Sequence, residues 1–165
     1  RPTGVFFDAQ TPEAVADAVL RFEANAHRFD ATECRRNAER FGVAIAPERV
    51  TGRIGMRPEL VGHYGYHRLH GGVISAGLDA MAGLAVMAAL GARHRDETIA
   101  QRLARFGRIG TIDLRVDYLR PGIGDRFDLS AEVMRIGSRV ASARMEFRGA
   151  DGALLSTGTA AYIVS

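Results

Sequence analysis

The chain has 165 residues, of which 25% are charged and 47% hydrophobic, which suits one soluble domain large enough to bury a core. Cys34 is the only cysteine, so an internal disulfide is excluded and a cytoplasmic setting is expected. All 22 basic residues are arginine, the net charge is only +3, and the arginines are scattered beside acids instead of gathered in a patch. A nucleic-acid partner is therefore not expected, and the charge promises at most a modest pull on an anionic ligand such as a phosphorylated cofactor.

The first residues show no charged-then-apolar leader, so no signal peptide is expected. "TPEAVADAVLRFEANAHRF" then predicts a helix, with Thr11 as N-cap and Pro12 in the first helical position. Val15, Val19 and Phe22 are spaced to form one apolar face, and "CRRNAERF" predicts a further turn or two. From Gly42 the period changes. Val43 and Ile45 alternate with small residues and "ERVTGRIGMRP" alternates again, which predicts a strand pair or one long bulged strand.

"HYGYHRLHGG" predicts a loop leading into a long apolar helix over 73–92, and "RDETIAQRLARFG" a short charged helix after it. The remainder alternates as strands. Ile112, Leu114, Val116 and Tyr118 are expected on one face, and so are Phe127, Leu129, Ala131 and Val133. Ala141, Ala143, Met145 and Phe147 form a third such set, and "LLSTGTAAYIVS" closes the sheet. The links "PGIGD", "RIGSR" and "GADGA" are short, so the strands are expected to be antiparallel neighbours in an α+β domain.

The apolar helix is long enough to cross a membrane, yet it is rich in Ala and Gly and carries Asp79. A helix enclosed by protein on all sides is the expectation, with Ala76, Gly77, Ala80, Ala82 and Gly83 letting a sheet wrap closely. No membrane partner is expected. Gly71 and Gly72 open this helix, where backbone N–H groups lack internal partners and carry the positive end of the dipole. Such a start binds an anion, or a carbonyl oxygen that becomes an oxyanion. Asp79 lies about two turns on. A buried carboxylate costs several kcal/mol unless it is hydrogen-bonded or neutral. It is either a structural acid held by backbone or Ser75, or a general base or nucleophile. His63, His67 and His70 lie near Asp79 in sequence, but no second acid or cysteine has ligand spacing, so no metal site is expected. His67 reads as an ordinary loop histidine and His70 as a residue orienting the helix entrance.

"LHGGVISAGLDAMAG" followed by "GTIDLRVDYLRPGIGDRFDLSAEVMRIGSRVASARMEFRGADGALLSTGTAAYIV" resembles the PaaI-like branch of the hotdog-fold acyl-CoA thioesterases. The shared pattern is His70-Gly71-Gly72, the acid Asp79 nine residues after the histidine, the strand Val116 to Pro121, the turn Arg135 to Arg139, and Asp151 to Thr159. The likeness is greatest to the bacterial medium- and long-chain acyl-CoA thioesterase subgroup, which shares the extra charged helix. The resemblance implies a hotdog domain over 42–165, an antiparallel sheet wrapped around the central helix, preceded by a helical extension over 1–41. It implies a homodimer or homotetramer with active sites at the dimer interface, an acyl-CoA substrate and no cofactor. Asp79 would act as general base or nucleophile, and the N–H of Gly72 or Gly71 would hold the thioester oxygen. The turn with Arg135, Gly137, Ser138 and Arg139 would contact the CoA nucleotide, and Gly110 and Thr111 would lie near the pantetheine arm. Related enzymes often carry an asparagine where this chain has Tyr64, beside His63. The apolar helix predicts a medium to long acyl chain. A non-catalytic acyl-CoA-binding protein and a hotdog hydratase or dehydratase are the alternatives.

Overall fold

The computed structural model describes residues 5, 11–34, 44–47 and 49–165. The chain divides into two compact units, 1–41 and 42–165. In the first, helix α1 (Pro12–Ala24) starts at Thr11, whose Oγ1 accepts from the Ala14 N–H at 3.2 Å. Asp17 and Arg21 pair across one turn at 2.7 Å. A 3₁₀ turn follows at Ala26–Arg28, and residues 31–34 are helical again. Of the expected apolar face, Val19 and Phe22 stay about half exposed, the Phe22 ring resting 4.8 Å from that of Phe29, while the neighbouring Ala18 is buried. The side chain of Val15, most of "CRRNAERF", and Gly42 and Val43 lie outside the described residues.

The second unit is built on a six-stranded antiparallel sheet. Its strands are β1 (Ala44–Ile45), β2 (Arg49–Gly55), β5 (Gly110–Tyr118), β6 (Arg126–Ile136), β7 (Val140–Gly149) and β8 (Leu154–Ile163). They run in the order β1-β2-β6-β7-β8-β5. A small hairpin, β3 (Val61–His63) with β4 (Arg68–Leu69), precedes helix α2 (Gly71–Arg93). Helix α3 (Ile99–Phe106) follows, its start fixed by a reciprocal Thr98–Gln101 capping box and by Arg105 paired with Glu97.

Alternation supplies the core. Leu78, Ala82 and Val86 of α2 meet Val50, Phe127, Ala141, Ala143 and Phe147 of the sheet, all fully buried. Each large apolar side chain so buried contributes about 1.5–3 kcal/mol. A Cβ on Gly77 would come within 2.9 Å of the Leu129 Cδ2, so a larger residue there would have to push that side chain aside. On the outer face, ion pairs Arg53–Asp128, Arg144–Glu132, Arg148–Glu146 and Arg115–Asp117 cover the strands.

Two expectations are corrected. Alpha-helix α2 is long and apolar enough to cross a membrane, but it packs on the sheet along one side and is not enclosed on all sides. Gly77 and Ala82 face the sheet as expected. Gly72, Ala76 and Ala80 instead form an exposed stripe, because they fall at intervals of four on the opposite side. The second correction concerns β5. Its register against β8 shifts between Thr111 and Asp113, making Ile112 a bulge. Ile112 is therefore 57% exposed, and Thr111 takes the place opposite Tyr162 that strict alternation would have given it. Leu114 and Val116 pack against the core as expected, whereas Tyr118 stays half exposed.

Candidate active site

The β4–α2 junction puts His70 at the N-cap of α2. Its Nδ1 accepts from the Gly72 N–H at 2.9 Å. His70 thereby orients the helix entrance. The residue is held from below: a Cβ on Gly62 would lie 2.6 Å from the His70 Cα, so only glycine allows the β3 backbone to pass. With the Gly72 N–H taken, the Gly71 N–H has no hydrogen-bond partner among the described residues.

The Gly71 carbonyl is the acceptor for two hydroxyls, Tyr118 Oη at 2.9 Å and Ser75 Oγ at 3.2 Å, and these oxygens lie 2.5 Å from each other. Ser75 thus serves the helix entrance and does not bond Asp79. Gly71, Gly72 and Tyr118 border a cleft of about 550 Å³ that Arg68 and Arg120 also line.

Asp79 sits two turns further along α2 and is half-buried. Its Oδ1 accepts from Tyr162 Oη at 2.8 Å and from Thr111 Oγ1 at 3.1 Å, and Tyr162 Oη also reaches the Asp79 carbonyl at 3.0 Å. Tyr162 is only 2% exposed. Burial first, and then the hydrogen bond to Asp79, push its phenol well above the ordinary tyrosine value. These three residues border a second cleft, of about 280 Å³, walled by Gly83, Leu84, Met87 and Ile109. Gly110 is in this cleft too, so Gly110 and Thr111 come together with Asp79.

Gly71 and Asp79 do not come together. Eight residues of α-helix rise about 12 Å, and the two residues border different clefts. The "RIGSR" turn lines neither. Arg135 borders a third cleft with Arg93 and Met134 at the far end of α2, while Gly137 closes the turn by donating to the Val140 carbonyl at 2.9 Å. Ser138 and Arg139 lie in that same β6–β7 connection. His63 rests against the Tyr66 ring at 4.9 Å, Tyr64 is 83% exposed, and His67 takes a left-handed backbone with φ of 47°. Among the described residues no three His, Cys, Asp or Glu side chains are grouped to hold a metal.

The thioesterase superfamily model matches residues 66–156, more than half of the chain. The chain belongs to the thioesterase superfamily. Over 108 residues this thioesterase is 43% identical to the medium/long-chain acyl-CoA thioesterase YigI of Salmonella typhimurium, a match spanning 66% of this chain and 70% of that protein. It is 42% identical to YigI of Escherichia coli K12 over the same shares. A solved structure from Shewanella oneidensis, related to the same superfamily, superposes with a TM-score of 0.70 at 38% identity, covering 87% of this chain and 95% of that one. The sheet and long central helix of this thioesterase are thus the hotdog fold, and its chemistry is thioester hydrolysis.

Sequence reasoning did not find Tyr162 or Tyr118 as site residues. Both stand at alternating strand positions, where a tyrosine reads as packing. Only their position opposite the helix reveals that each hydroxyl serves it.

Proposed function

We propose that this thioesterase hydrolyses medium- to long-chain acyl-CoA to the free acid and CoA. Asp79 acts as general base on water or as nucleophile, and the Gly71 N–H holds the thioester oxygen as it becomes an oxyanion. Because one helix holds these groups about 12 Å apart, they belong to two different sites. A second copy supplies the missing half, so the working unit is at least a homodimer. That separation is the observation that carries the reading. The exposed stripe Gly72, Ala76 and Ala80 supports it, since small residues let a second helix approach closely. The choice of Gly71 over Gly72 rests on the His70 cap, which occupies the Gly72 N–H.

The identity with YigI supports the acyl-CoA substrate and its chain length. Leu84, Met87 and Ile109, C-terminal of or beside Asp79, offer an apolar wall for the chain. The arginines Arg93 and Arg135 at the far end of α2 offer cationic partners for CoA phosphates.

The test is turnover of a panel running from acetyl- to palmitoyl-CoA by the wild type and by Asp79→Asn. The wild type should turn over decanoyl- and palmitoyl-CoA better than acetyl-CoA, and the variant should lose about 10²–10⁴ in kcat with little change in melting temperature. Near wild-type turnover by the variant would end the mechanism. Binding of acyl-CoA without turnover by the wild type would assign a non-catalytic acyl-CoA-binding role.

A further inference from the structure

We infer that Tyr162, together with its cross-strand partner Thr111, is a positioning residue that holds one oxygen of Asp79 and leaves the other to react. The inference rests on the proposed role of Asp79.

Three observations carry it. First, both hydroxyls converge on the same atom: Tyr162 Oη lies 2.8 Å and Thr111 Oγ1 3.1 Å from Oδ1. Neither contacts Oδ2, which has no hydrogen bond among the described residues. A carboxylate held in this way keeps one oxygen as a fixed anchor and presents the other. Second, the two donors are built as a unit. Thr111 of β5 and Tyr162 of β8 are directly opposed in the sheet, and opposed side chains share a face at about 5 Å. This pairing exists only because the Ile112 bulge moves Thr111 into register with Tyr162. Bulges commonly re-aim a side chain beside an active site. Third, Tyr162 is rigid. Its ring is buried, its backbone is paired on both sides with β5 and β7, and its hydroxyl also grips the Asp79 carbonyl at 3.0 Å. The single Tyr162 hydroxyl hydrogen is shared between Oδ1 and the carbonyl of Asp79, with Oδ1 the nearer.

Among the residues bordering this cleft, Tyr162 and Asp79 are the only titratable ones, so no other charge competes for the carboxylate. A rotating carboxylate would spend most of its time with its lone pairs misdirected, and small misplacements of a reacting group cost large factors in rate.

The experiment compares Tyr162→Phe, Thr111→Val and Thr111→Ser by steady-state kinetics on decanoyl-CoA, with melting temperatures for each. Tyr162→Phe is expected to lower kcat about ten- to a hundred-fold, the loss of one hydrogen bond to a charged group, with KM changed less than about twofold. Thr111→Val should lower kcat in the same sense, and Thr111→Ser, which keeps the hydroxyl, should restore most of it. A purely structural role predicts the opposite: Tyr162→Phe melts lower while its folded fraction keeps normal kcat, or Thr111→Ser behaves like Thr111→Val. Either result overturns the inference. Should Tyr162→Phe fail to fold, the Thr111 pair alone decides. Failure of the underlying reading is distinguishable, because then Asp79→Asn itself retains turnover.

Discussion

His70 accepts from the Gly72 N–H, and so leaves the Gly71 N–H as the donor for the proposed oxyanion. That division can be tested by removing one donor without disturbing the helix. Proline is favoured at the first helical position, where its missing N–H has no helical partner anyway. The preceding His70 has φ of −67° and ψ of 133°, the extended conformation that a residue before proline prefers. Gly71→Pro is thus expected to keep the melting temperature within a few degrees while kcat falls about 10²–10³, the cost of one oxyanion donor. Unchanged kcat would return the role to Gly72. Asp79 and the paired glycines stood out in the sequence as candidates, because a carboxylate in an apolar run and two glycines at a helix start each need a reason. The choice between the glycines did not, since it turns on the direction of one imidazole ring. The two tyrosines were hidden for the converse reason: a ring that packs and a hydroxyl that bonds occupy the same letter.

Among the elements, β6 and β7 were plain from their period of two, and α2 from the length of its apolar run. Strand β5 was not. A bulge adds one residue without changing composition, so the pattern of Ile112, Leu114 and Val116 looked continuous when the register was not. The two readings make different energetic claims. If Ile112 lies on the bulge, Ile112→Thr should change stability by no more than about 0.5 kcal/mol, as at an ordinary surface site. If Leu114 packs against the core, Leu114→Ala should cost about 2 kcal/mol or more. Urea denaturation of both variants decides it. Equal, large losses would mean that the bulge does not persist in solution.

Across the whole molecule, the fold class was legible and the extent of enclosure was not. The sequence reads α2 as apolar on every side, and it is, but the six strands cover only the side of Leu78, Ala82 and Val86. What covers the stripe of Gly72, Ala76 and Ala80 is not written in one chain's hydropathy. Under the proposed pairing, that stripe meets a second copy, and eight positions of helix become the distance between two half-sites. A genetic consequence follows. Asp79→Asn and Gly71→Pro should each be inactive alone, yet they damage different halves. When the two are unfolded together and refolded in equal amounts, random pairing makes about half of the dimers mixed, and each mixed dimer holds one site with both halves intact. About a quarter of wild-type activity should return from two dead proteins. No recovery on verified mixed dimers would mean that each chain carries a complete site of its own.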